Sequence, residues 1–132
     1  AIDGKLKYSK NVGGIKHYMA GSDTTIPSGK HQARMEFAYD GGGLGKGGDV
    51  TLYVDGTKVG SGRVDMTLPM VFSADETCDV GIDNASPVSP EYGPRGNAFN
   101  GTIDWVQIDI GDDDHDHLIE PNERMSLAMA RQ

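Results

Sequence analysis

Along the first half of the chain, apolar residues fall at every second position in short runs, and turn-forming residues separate one run from the next. That period marks a strand, because successive side chains of an extended backbone point to opposite faces. It predicts strands over residues 5–9, 15–20, 32–39, 50–54 and 59–64. In the third, Ala33, Met35, Phe37 and Tyr39 alternate with Arg34, Glu36 and Ala38, so one face is offered to a core and the other to water. Val50, Leu52 and Val54 alternate with Thr51 and Tyr53 and run into Asp55-Gly56, a dipeptide suited to the two-residue type I′ hairpin turn.

Beyond residue 64 the pattern thins. Residues 70–72 and 78–82 predict two further strands, and residues 99–110 a long final one. In that last segment Ile103 and Trp105 share one phase while Val106, Ile108 and Ile110 share the other, so a bulge near Trp105 is expected to keep both sets inward. Between them, residues 84–96 carry three prolines and two glycines and form a loop longer than most connections. After Gly111 an acidic stretch leads into residues 118–132, where Pro121 suits a first helical turn and Met125, Ala128 and Met129 give one apolar stripe. The expected architecture is an all-β antiparallel sandwich, jelly-roll or concanavalin-like, over residues 1–111. An acidic linker and short C-terminal helix (residues 112–132) would pack on the sandwich or on a domain upstream.

Composition agrees with this class: 19 glycines among 132 residues favour many turns. Twelve basic against twenty acidic residues leave a net charge of −8, which repels nucleic acid and anionic membrane surfaces. No run approaches the ~20 apolar residues of a membrane-spanning helix. The single cysteine, Cys78, excludes an intramolecular disulfide; its strand-like surroundings predict a buried, inert thiol. Strand-like sequence begins close to Ala1, as expected of a piece of a longer protein.

Six glycines fill the eight positions 41–48. Gly43, Gly45 and Gly48 satisfy G-x-G-x-x-G, yet a strand follows where a dinucleotide site needs a helix. Gly45-Lys46 lacks the Ser or Thr of a P-loop. The glycines therefore read as a tight strand connection, with close backbone approach to a partner as a further use. Asp75, Glu76, Asp79 and Asp83 offer oxygen ligands for calcium, and residues 112–117 mix acids with two histidines; surface acids bonded to local amides explain both more simply. His17 and His31 lack flanking motifs, and Ser86 and Ser89 lack a nucleophile elbow. Tyr39, Tyr53, Tyr92 and Trp105 are candidates for a sugar-stacking platform, although only Tyr53 falls on an outer strand face. No catalytic, cofactor-binding or metal-ligating residue is assigned.

Four stretches read in order, "IPSGKHQARMEFAYDGGGLGKGGDVTLYVDGTKVGSGRV", "FSADETCDVGIDNASPVSPEY", "FNGTIDWVQIDIG" and "DDDHDHLIEPNERMSLAMARQ", resemble the C-terminal region of large bacterial arylsulfatases. The resemblance implies a parent enzyme that hydrolyses sulfate esters with a formylglycine and a divalent metal such as calcium. The formylglycine arises from a C/S-x-P-S-R motif; Cys78 is followed by Asp79, Val80 and Gly81, so that role does not carry over. What is implied for this chain is an accessory domain that serves stability, active-site access or oligomer contacts. Its partners would be the upstream catalytic domain and further copies of itself in a homo-oligomer. Asp40, Gly43, Leu44, Lys46, Tyr92, Arg95, Met125 and Met129 are the interface candidates. The alternative is a carbohydrate-binding, lectin-like module, against which the acidic balance weighs when the glycan is sulfated.

Overall fold

The computed structural model describes residues 1–69, 78–84 and 86–111. Five strands order them: β1 (Lys7–Val12), β2 (Lys16–Gly21), β3 (Ala33–Tyr39), β4 (Gly48–Val54) and β5 (Thr57–Val64). β1 and β2 form one antiparallel sheet, and β3-β4-β5 form a second in sequence order. The described part is all-β, as the period-two pattern requires.

Local chemistry explains each turn. Gly13 and Gly14 take positive φ between β1 and β2, and the Gly14 N–H donates to Asn11 Oδ1 at 2.7 Å. Between β4 and β5, Asp55 and Gly56 both have positive φ (49° and 78°), which is the type I′ turn expected of that dipeptide. Asp55 does more than turn. Its Oδ1 accepts the Gln32 N–H at 2.9 Å and its own N–H donates to the Gln32 carbonyl, which ties the hairpin tip to the entrance of β3. Register slips by one residue between Leu52 and Tyr53, which face Gly60 and Lys58 and leave Val59 as the extra residue of a bulge.

The two sheets share one core. Val50, Leu52 and Val64 from the larger sheet are at most 1% exposed, and Val12, Tyr18 and Ala20 from the smaller one close over them. Contact is closest where β2 lies on β5. A Cβ on Gly60 would collide with the Gly21 carbonyl, and one on Gly62 would come within 2.7 Å of the Ala20 Cβ. Both positions need glycine because the opposing strand occupies the space of a side chain. Ser22 seals the end of β2: its hydroxyl donates to the Thr24 carbonyl (2.6 Å) and accepts the Leu6 N–H (3.1 Å), which makes its burial affordable.

Several expectations are corrected. The first strand runs over Lys7–Val12 rather than 5–9. Residues 78–82 form no strand: the Asp79 carboxylate accepts the Asn84 N–H, the Asp83 carboxylate accepts the Val88 N–H, and Gly81 has φ 81°. Those local bonds compete with a sheet ladder for the same backbone. Residues 99–110 form no strand either, because alternation supplies a face but, among the described residues, no neighbour to bond with; Trp105, Ile108 and Ile110 are 60, 74 and 89% exposed. The face of Ala33, Met35, Phe37 and Tyr39 is only partly covered, since β2 reaches across β5 and leaves Met35 47% exposed. Cys78 is exposed, not buried. Residues 70–72, Asp75, Glu76, the acidic stretch 112–117 and the helix expected over 118–132, with Met125 and Met129, lie outside the described residues.

Candidate docking site at the glycine loop

The loop from Asp40 to Gly47 joins β3 to β4, and its glycines are there for backbone shape. Gly41, Gly42, Gly43 and Gly45 have φ of 72°, 74°, 110° and 73°, a region that side-chain-bearing residues rarely adopt. Nothing lies within 4 Å of a Cβ built on the first three, so crowding is not the reason. The loop is nonetheless braced. Tyr39, the last residue of β3, donates its hydroxyl to the Gly43 carbonyl at 2.5 Å and accepts the Lys46 N–H at 3.0 Å. Asp40 N–H donates to the Gly47 carbonyl across the loop's base. The Thr67 N–H and hydroxyl both donate to the Lys46 carbonyl, at 3.0 and 2.9 Å, and the chain after β5 thereby becomes the loop's floor.

Charge fixes one flank. Arg63 on β5 forks onto Asp40, Nη1 to Oδ1 at 2.8 Å and Nη2 to Oδ2 at 2.5 Å, with a longer Nη1 contact to Asp49 at 3.3 Å. The guanidinium holds the Asp40 carboxyl below its ordinary range, and the carboxylates raise Arg63 further. Three apolar side chains stand partly exposed near this clasp: Tyr39 is 36% exposed, Leu44 42% and Met66 42%. Four left-handed residues, a tyrosine brace and an arginine fork thus present Leu44 on a pre-shaped loop, with Lys46 exposed beside it. Ordering such a loop in advance lowers the entropy lost when a partner covers it.

The other interface candidates attach to the smaller sheet. Tyr92 and Arg95 lie in the loop over residues 86–100, which Ser9 and Lys7 of β1 hold through bonds to the Val88 carbonyl (2.9 Å) and the Glu91 carboxylate (2.8 Å). Asp83 is the hub of this loop. Its Oδ2 accepts the Tyr92 hydroxyl (2.6 Å) and the Val88 N–H, and Asn97 bridges the Asp83 backbone to the Gly93 carbonyl. Burial, and then the Asp83 carboxylate, push the Tyr92 phenol up to about 12. An open cleft of about 1240 Å³ separates this loop from the N-terminal segment, with Ile2, Lys7, Ile82, Tyr92, Asn97 and Phe99 among its walls. Arg95 is exposed. Asp40, Gly43, Leu44 and Lys46 therefore gather as one site, whereas Tyr92 and Arg95 belong to another.

The four aromatic residues do not share a surface. Tyr39 and Tyr53 point to opposite faces of the larger sheet, and Tyr53 lies under the Arg34 guanidinium at 4.2 Å. The histidine that sequence left without a role has one partner set: His31 Nδ1 meets Asp55 Oδ2 at 2.6 Å and Nε2 faces the Ser28 carbonyl at 3.4 Å. Both ring nitrogens face acceptors, so the imidazolium is favoured; the Asp55 carboxylate first and the Ser28 carbonyl second raise its pKa. A ring so held is a poor general base. Among the described residues no three His, Cys, Asp or Glu side chains gather as a metal site. The Tyr39 brace and Met66 escaped the sequence reading; a Tyr-Asp pair leading into a glycine run was the available signal. The chain matches no family model, no curated protein and no solved structure.

Proposed function

We propose that this chain is a non-catalytic accessory β-domain of an arylsulfatase, a sandwich of jelly-roll or concanavalin-like form, that docks on the sulfate-ester hydrolase domain upstream. The observation that carries the docking role is the braced loop, with Leu44, Tyr39 and Met66 exposed together at one end of the larger sheet. The sulfatase assignment rests on the sequence resemblance. Formylglycine chemistry and any calcium belong, on this reading, to the catalytic domain. The carbohydrate-binding reading is weaker because Ser9, Lys7, Asp83 and Asn97 in the open cleft already bond to one another's loops rather than facing a ligand unengaged.

The test is retention of the upstream catalytic domain, produced as a separate polypeptide, by this chain. Wild type should retain it, and Leu44→Glu combined with Met66→Glu should lower retention at least tenfold. Equal retention by the variant rejects the loop as the docking site. An upstream reading frame without a C/S-x-P-S-R motif rejects the sulfatase assignment, and specific retention on a glycan array moves the reading to a lectin-like module.

A further inference from the structure

The outer edge of β3 is open: among the described residues β4 is its sole neighbour, and no strand bonds to its other side. The same chain carries an arm over residues 102–110 that pairs with no strand among the described residues. Gln107 Nε2 donates to both Asp109 carboxylate oxygens at 2.9 and 3.0 Å, so residues two apart lie on one side, the relation of an extended backbone. Val106, Ile108 and Ile110 consequently share the opposite side, 58, 74 and 89% exposed. An open edge and an exposed alternating segment are the two halves of a strand addition.

We infer that the arm of one copy adds as a fourth strand to β3 of a second copy, reciprocally, in a two-fold dimer. Direction excludes the arm's own β3. Lys30 Nζ meets Asp104 Oδ2 at 2.5 Å, which roots the arm beside the start of β3. From there it runs along its own β3 only in the parallel sense, whereas every strand pairing among the described residues is antiparallel. A partner related by a two-fold axis meets the arm antiparallel, and reciprocal exchange closes both edges.

Charge and apolar phase select one register. Placing Ile108 opposite Met35 sets Val106 opposite Phe37 and Ile110 opposite Ala33, all on the core-facing side of the sheet. On the outer side the same register sets Asp109 opposite Arg34 and Gln107 opposite Glu36. A shift of two residues one way puts Asp109 against Glu36, a like-charge pair directly across the strands, and the other way carries Ile110 past the start of β3. Met35, 47% exposed in the single chain, is then covered.

Solution mass and cysteine pairing test this together. Light scattering at about 100 μM should give twice the 14.1 kDa of the chain, and Ile108→Lys with Ile110→Lys should return it to one chain whose circular dichroism loses only the added arm strand and keeps the signal of β1 to β5. In a Cys78→Ser background, mixing a Met35→Cys chain with an Ile108→Cys chain should give a disulfide-linked pair. A Leu44→Cys chain in place of Met35→Cys should not. A monomeric wild type, or a dimer that survives the double lysine variant, overturns the inference. These readouts need no upstream domain, so their failure leaves the docking proposal standing and its failure leaves them standing.

Discussion

Gly60→Ala isolates the closest approach between the two sheets. The added methyl has no room because the Gly21 carbonyl and the Ser22 Cα, both backbone, stand over that point of β5. A side chain could swing aside, but here β2 itself must lift from the core that Leu52 and Val50 fill. Overpacking of this kind costs about 3 kcal/mol at the upper end, and the alanine recovers roughly 0.5–1 kcal/mol of backbone entropy, which leaves a net loss of about 2 kcal/mol. With an unfolding entropy of about 2.1 cal/mol/K per residue over 132 residues, that is a fall of roughly 7 °C in melting temperature. Gly93→Ala is the control, since nothing lies within 4 Å of a Cβ there and its φ is not left-handed; it should melt within about 2 °C of the parent. Differential scanning calorimetry of the three proteins measures both shifts. If Gly60→Ala melts with the control, β2 does not lie on β5 as described, and the shared core is wrong. Gly62→Ala, which meets the Ala20 methyl, should fall between them.

Other perturbations read separate parts of the molecule. Leu52→Ala, at 1% exposure, should destabilise by about 3 kcal/mol and lower the urea midpoint with little change in slope. Tyr39→Phe removes a donor to Gly43 and an acceptor for Lys46, so hydrogen exchange at the Lys46 amide should accelerate while the β4 amides keep their protection. For the His31–Asp55 pair, the raised histidine contributes stability below about pH 6.5 that is lost as pH rises through its folded pKa; the lowered aspartate contributes above about pH 4 and is lost as pH falls through its own. The melting advantage of wild type over His31→Ala should therefore peak between about pH 4 and 6.5 and shrink above it, and a profile flat from pH 5 to 8 contradicts the pairing. With Tyr92 held up to about 12, its labelled Cζ resonance should stay in place through pH 11.

How far the sequence could be read depended on whether a signal was local. Strands β2 to β5 follow from period-two alternation, and the Asp55-Gly56 hairpin from the positive φ that its residues tolerate. Residues 99–110 alternate too, with a change of phase at Trp105, yet a ladder also needs a partner edge, which a single strand's sequence does not contain. Residues 78–82 failed for a different reason: Asp79 and Asp83 bond to nearby amides and divert the backbone into loop. Gly60 and Gly62 read as weak strand residues until β2 is seen lying on them. In the candidate site, the glycine run announced a left-handed loop, while its rigidity comes from Tyr39 at the end of β3, Arg63 on β5 and Thr67 in the chain after β5.

The division of the core between two small sheets has a kinetic consequence. The β1–β2 hairpin and the β3–β4–β5 meander each pair neighbours in sequence, so both form by closing short loops, on the microsecond scale of hairpins. The distant event in building the core is the seating of β2 on β5, which joins Ala20 to Gly62 across the intervening chain. Folding speed should then be set by that encounter rather than by strand pairing, and the two glycines that let the backbones meet become determinants of the rate as well as of the fold.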